Sequence, residues 1–194
     1  MSVRAKLFII GTVTLLALIA LALLLINSAS FKTPSSNVGP NTIQSDGLYY
    51  DVVYVYDGDT ISVNMMGANE KIRLIGVDTP ETMDPDTPPQ CYGQESSNYT
   101  KTNLSRQKVR LEADPTNQNR DRYGRLLRYV YLSDGRLWNI ELIANGYGFA
   151  YLRFPFTKQQ EFRQAENKSS NLKLGLWGKC EVNIKNGVYR TISL

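Results

Sequence analysis

The sequence predicts an α+β, mainly β fold: a small five-stranded antiparallel barrel with two or three packed helices, preceded by one N-terminal apolar helix. Three observations lead there. Short Val-, Ile- and Tyr-rich runs recur between Gly- and Asp-containing turns. Only a few segments carry the helical period. And residues 7–26 hold no charge at all, directly after Arg4 and Lys6.

The elements follow in order. The charge-free run is 20 residues long; as a helix it spans roughly 30 Å, the thickness of a bilayer core. The two cations before it orient the N-terminus inwards. Residues 1–30 therefore read as a signal peptide or a membrane anchor. Ser28 and Ser30 suit a signal peptidase, while the length of the run suits a retained anchor. Both readings predict an extracytoplasmic protein, membrane-anchored or secreted. Residues 31–47, rich in Ser, Asn, Pro and Thr, read as a linker. Residues 48–180 form the domain and 181–194 a tail.

Within the domain, strands are expected at 49–56 and 61–66, separated by the turn Asp57-Gly58-Asp59. Gly67-Ala68-Asn69 turns the chain into a third strand at 71–77. There Ile72, Leu74 and Gly76 lie on one face and Arg73 and Ile75 on the other. Residues 78–91, with four prolines, form an irregular loop. A helix follows at 94–105, strands at 109–113 and 126–132, and helices at 138–145 and 158–172. Phe162, Ala165 and Leu172 make the apolar side of the last helix. Asn186-Gly187 suits a hairpin in the tail.

Composition narrows the chemistry. The net charge of +4 falls to +2 without Arg4 and Lys6, so any site for polyanions must be local. Residues 101–128 carry eight cations against three acids, which points to a phosphate-facing patch. The chain has no histidine. Histidine-based triads, Cys-His pairs and histidine-ligated zinc or iron are excluded. Oxygen ligands alone point to calcium or magnesium. The two cysteines, Cys91 and Cys180, read as a disulfide in an exported domain.

Acids and arginines gather at strand ends: Asp57 and Asp59 after the first, Arg73 in the third with Asp78, Thr79 and Glu81 beyond it, and Arg125 opening the fifth. A phosphodiester transition state gains negative charge. Two carboxylates holding a hard cation, two arginines and one further carboxylate as proton acceptor would serve its hydrolysis.

These strings resemble the staphylococcal nuclease, or thermonuclease, family. The resemblance rests on Asp57-Gly58-Asp59-Thr60, on the run from Arg73 to Thr82 (RLIGVDTPET), and on Tyr92-Gly93-Gln94-Glu95-Ser96. It continues in Asp121-Arg122-Tyr123-Gly124-Arg125, Asn145-Gly146 with Ala150-Tyr151, and Gly175-Leu176-Trp177. It implies an OB-fold barrel and calcium-dependent hydrolysis of single-stranded DNA and RNA, with duplex DNA as a further substrate, by a monomer. The bond to the 5′ oxygen is cut and 3′-phosphates are left. Asp59, Asp78 and the Thr79 carbonyl resemble the Ca2+ ligands, and Asp57 and Asp121 the residues behind them. Glu81 resembles the general base, and Arg73 and Arg125 the phosphate clamp. Arg122, Tyr123 and Tyr151 resemble the contacts to phosphate and nucleotide. Arg122 replaces a family lysine, and Arg153 stands where the best-known member has a tyrosine. Relatives with a cysteine just after Gly-Leu-Trp strengthen the pairing of Cys91 with Cys180. The alternative is a catalytically silent, nucleic-acid-binding OB module at the cell envelope; the full set of acids and arginines argues against it.

Overall fold

A computed structural model describes residues 47–82, 88–185 and 187–192. All belong to the second of the two units into which the chain divides, 42–194. The apolar run at 7–26, its membrane or signal role and the linker up to residue 46 lie outside the described residues.

Five strands close a barrel in the order β1-β2-β3-β6-β5. β1 is Tyr49–Val55, β2 Thr60–Met65, β3 Ala68–Leu74, β5 Lys108–Glu112 and β6 Leu126–Tyr131. Neighbours are antiparallel except β3 and β6, which run parallel through Ile72 opposite Leu126 and Arg73 opposite Leu127. Ile61, Val63, Ile72, Val109 and Val130 are wholly buried and fill the barrel, in keeping with the preference of β-branched residues for a pleated, half-buried surface. In β1, Tyr50, Val52 and Val55 point inwards. The register shifts between Val52 and Tyr54, and this bulge turns Tyr54 out to solvent.

Three helices of seven residues or more pack on the barrel: α1 (Gly93–Leu104), α2 (Trp138–Ala144) and α3 (Gln159–Asn171), followed by the single turn α4 (Leu176–Lys179). α2 is fixed by Asn139, which is wholly buried. Its Oδ1 accepts the Val130 N–H (2.9 Å), and its Nδ2 donates to the carbonyls of Ile75 (2.9 Å) and Arg128 (3.3 Å). One side chain thus saturates backbone groups on two sides of the β3 exit.

The structure corrects three details of the sequence reading. The third strand ends at Leu74 rather than 77: Ile75 and Gly76 turn the chain out of the barrel into the two-residue β4, Val77–Asp78. Ile75 is therefore buried instead of sharing an outer face with Arg73. The turn before β3 lies at Met66-Gly67, so Ala68 and Asn69 belong to the strand. The buried side of α3 is Phe162, Glu166 and Ser169, while Leu172, at its C-terminal end, is 59% exposed. Glu166 is buried because its carboxylate accepts the Ala150 N–H of β7, Phe149–Ala150, at 2.8 Å.

Residues beyond Cys180 form a hairpin, β8 (Val182–Lys185) with β9 (Val188–Thr191). It is tied to the segment before α1. Cys91 and Cys180 are disulfide-bonded, Cys91 N–H donates to the Ile192 carbonyl (3.2 Å), and Thr191 Oγ1 donates to the Cys91 carbonyl (2.8 Å). Tyr189 stacks on Phe149 and meets Trp177 edge-on. The disulfide closes a loop of 89 residues. Replacing both cysteines by serine should lower unfolding stability by about 2–4 kcal/mol, read in urea titrations.

Asp114, 3% exposed, is the hub of the loop between β5 and β6. It accepts bonds from Thr116 Oγ1, Thr157 N and Oγ1, and Tyr129 Oη, all at 2.5–2.7 Å. Burial alone would raise its pKa, but these donors outweigh it and hold the carboxyl well below the usual range. A depressed folded-state pKa means that the stabilisation is present above about pH 4 and is lost as the pH falls below it. Asp114→Ala should cost about 2–4 kcal/mol at pH 7. Urea titrations at pH 7 and pH 3 should also show a shallower acid-side decline in the variant than in the parent.

Candidate active site at the barrel mouth

The β1–β2 turn and the β3–β4 corner meet at one end of the barrel. Asp59 N–H donates to Asp57 Oδ1 (3.0 Å), the Asx geometry that Asp-Gly-Asp favours. Asp59 then turns its carboxylate, 5% exposed, towards the corner. Its Oδ2 accepts the Thr79 N–H (2.9 Å) and Thr79 Oγ1 (3.2 Å), and Oδ1 accepts Thr60 Oγ1 (3.1 Å). The closeness of the two loops explains Gly58: a Cβ there would lie 2.6–2.8 Å from the Thr79 side chain. Thr100 of α1 donates to the Gly58 carbonyl (2.7 Å) and holds the turn from behind.

Arg73 ties the corner together. Its Nη1 donates to the carbonyls of Val77 (2.7 Å) and Leu74 (3.1 Å), while Nη2 lies 3.2 Å from Asp59 and 3.4 Å from Asp78. Gly76 permits this return: its φ is +70°, and a Cβ would strike Phe156 at 2.6 Å. Arg125, from the end of the 117–124 loop, is set by Asp121. The Asp121 carboxylate accepts Arg125 Nε (2.6 Å) and N–H (3.0 Å), and Arg125 Nη1 reaches Thr60 Oγ1 at 3.4 Å.

Two cavities result. The smaller, about 240 Å³, is lined by Asp57, Asp59, Asp78, Thr79, Glu81 and the two arginines, among others. The larger, about 660 Å³, shares Arg73, Asp78, Tyr123 and Arg125 with it and continues past Arg122, Tyr151 and Arg153. Tyr123 is 67% exposed under the guanidinium groups of Arg122 (4.7 Å) and Arg125 (5.3 Å). The Tyr151 N–H is held by the Gly76 carbonyl (2.8 Å).

Every site residue named from the sequence except the two cysteines thus lies at this mouth or directly behind it. The expected phosphate-facing patch at 101–128 does not form as a unit. Lys108 pairs with Asp51, Arg110 with Glu112 and Arg120 with Glu70, and Arg128 is buried against Asn119. Of that cluster, Arg122 and Arg125 line the cleft. One cleft residue was missed altogether. Arg190 of β9 forms an ion pair with Asp78 and lines the larger cavity. The sequence offered an indirect signal, since pairing Cys91 with Cys180 brings the tail beside the segment that follows Glu81.

The electrostatics favour a cation. Asp57 is pushed up to about 7, first by burial and next by the charge of Asp59. Asp78 is raised by burial and by Asp59, against the pull of Arg73 and Arg190. The negative charge of Asp59 that opposes ionisation of Asp57 and Asp78 would also attract a hard divalent ion to these oxygens. Among the described residues no group of three or more acidic, histidine or cysteine side chains forms a ready-made cage. What the site offers a hard cation is the pair of carboxylates Asp59 and Asp78, both within 3.4 Å of Arg73 Nη2. A carboxyl with a raised folded-state pKa destabilises the fold as the pH climbs from about 4 to about 7. Asp57→Asn should flatten that decline, measured by urea unfolding in chelator at pH 4.5 and pH 8.

Comparison with known proteins places this geometry. The profile described as "Staphylococcal nuclease homologue" matches residues 71–179. The chain is 42% identical over 167 residues to the Thermonuclease of Staphylococcus hyicus, covering 82% of this chain and 94% of that protein. It is 43% identical over 132 residues to the Thermonuclease of Staphylococcus intermedius, covering 68% and 77%. Endonuclease YncB of Bacillus subtilis is 40% identical over 125 residues, covering 63% and 58%.

Proposed function

The chain belongs to the staphylococcal nuclease family, and from that premise we propose that it is a calcium-dependent nuclease that hydrolyses DNA and RNA to 3′-phosphate products. The observation that carries this reading is the convergence of Asp59, Asp78 and Glu81 with Arg73 and Arg125 in one small cavity opening onto a cationic, tyrosine-lined cleft. A Ca2+ ion bound there would supply positive charge to the phosphate and make water a readier nucleophile.

The chain's own groups do the rest. Asp59 and Asp78 would provide oxygens to the ion, and Thr79 fixes Asp59 through two hydrogen bonds. Arg73 keeps both carboxylates apart and in place. The Glu81 carboxylate takes the proton from water as its oxygen bonds to phosphorus and the bond to the 5′ oxygen breaks; the leaving oxygen takes a proton from solvent. Arg125, oriented by Asp121, donates to the non-bridging oxygens, where charge grows in the transition state. Tyr123 and Tyr151 offer faces to sugar and base, and Arg122 and Arg153 offer charge to the strand. Single-stranded substrate suits a cleft in which bases must reach aromatic side chains. The domain acts as a monomer outside the cytoplasm, a location supported by the charge-free run at 7–26 and by the Cys91–Cys180 bond, which suits an oxidising compartment.

Purified full-length protein should cleave single-stranded DNA with calcium and not in excess chelator. Glu81→Gln and Arg125→Ala should each lower the rate by roughly 10²–10³-fold, with unfolding midpoints retained. Binding of the strand without cleavage under any divalent ion would instead mark a silent module.

A further inference from the structure

The C-terminal hairpin lies outside the segment that matches the family profile, which ends at residue 179. It nonetheless delivers a side chain to the cleft. We propose that Arg190 is a further phosphate-binding arginine of this nuclease, contacting the phosphate next to the scissile one on the same strand. This rests on the nuclease reading above.

Three observations carry it. First, Arg190 is held in position from several sides. Its neighbour Thr191 is buried and hydrogen-bonded to Cys91, its other neighbour Tyr189 packs between Phe149 and Trp177, and the hairpin is covalently tied through Cys180. Such anchoring is not needed for a solvated surface arginine. Second, Arg190 uses one nitrogen for its protein contacts. Nη1 donates to Asp78 Oδ2 and to the Tyr189 carbonyl (3.1 Å). Among the described residues neither Nη2 nor Nε meets an acceptor. A side chain still 39% exposed therefore has donors to spare while it keeps Asp78. Third, Arg190 lines the larger cavity and not the smaller one that holds Glu81 and Asp59. Its open donors belong on the side where the strand continues, beyond the reacting phosphate. That larger wall carries Arg73, Arg122, Arg125, Arg153 and Arg190 against Asp78 and Asp121, so its net charge is positive.

Substrate length separates a strand contact by Arg190 from an action on Asp78 alone. The test compares Arg190→Ala and Arg190→Lys with the parent, as full-length protein in saturating calcium, on two substrates: a dinucleoside monophosphate, with one phosphodiester, and a single-stranded octadeoxynucleotide. For the octamer, Arg190→Ala should raise KM about tenfold with kcat within about twofold, and Arg190→Lys should recover part of the loss. On the dinucleoside monophosphate, where only the contact to Asp78 is lost, the fall in kcat/KM should be several-fold smaller than on the octamer. The salt slope of octamer binding, measured in chelator, should fall by about 0.7 in Arg190→Ala, one phosphate contact on a single strand. Equal losses on both substrates would overturn the proposal, because they would mean that Arg190 works only through Asp78. So would an unchanged KM and salt slope on the octamer. If the parent cleaves neither substrate, the nuclease reading fails, and the salt slope still decides whether Arg190 meets the strand.

Discussion

The barrel mouth depends on one carboxylate oxygen. Asp59 Oδ2 accepts the backbone N–H and hydroxyl of Thr79 and stands 3.2 Å from Arg73. The chain reaches it along three routes, the β1–β2 turn, the end of β3 and the β3–β4 corner. Two loops separated by twenty residues are thereby locked face to face, closely enough that position 58 has no room for a side chain. Behind them, Thr100 and Asn139 hold the turn and the corner from two helices. The rigidity of the site is backbone rigidity, borrowed from the barrel, which is the firmest support for groups that must be positioned to fractions of an ångström.

That arrangement comes at an electrostatic cost. Asp57, Asp59, Asp78 and Glu81 share a small cavity with two arginines, and Arg73 is itself enclosed by the carboxylates it neutralises. Packed hydrophobic residues of similar shape would be no less stable. On the proposed function, this excess of acid is what a divalent cation would meet, with the phosphate following it. In the larger cleft Asp121 pairs with Arg125, and Asp78 pairs with Arg190 as well as with Arg73.

Much of this was legible in the sequence. Short Val-, Ile- and Tyr-rich runs marked the five strands, and Asp-Gly-Asp marked the turn between the first two. The acids after β3 were placed near that turn because strand ends of a barrel converge. Four features were not legible. The break after Leu74 depends on Phe156 and Phe162 filling the space beside Gly76, a tertiary contact with no local trace. The cations of 101–128 looked like a patch because their partners, Asp51 and Glu70, lie far away along the chain and only cross-strand pairing brings them near. On α3 the apolar stripe pointed to Leu172, but a buried Glu166 won the inner face through its bond to Ala150. Arg190 escaped notice because the chain beyond Cys180 carried a hairpin signal at Asn186-Gly187 but none of the strings that resemble the family.

The strand order has a consequence for how the chain assembles. β1, β2 and β3 are neighbours in sequence and pair as a local meander, but each outer edge waits for a distant partner: Tyr50 for Val109, and Ile72 for Leu126. In a chain that emerges N-terminus first, this three-stranded sheet stands for a time with two open edges, one of them bearing Tyr49 and Tyr54 on its outer face. Open edges are where foreign strands add. Closure is non-local and therefore slow relative to the first hairpins. The interval between synthesis of β3 and of β6 is thus the period in which this protein is most exposed to aggregation, and the one in which a chaperone would matter most.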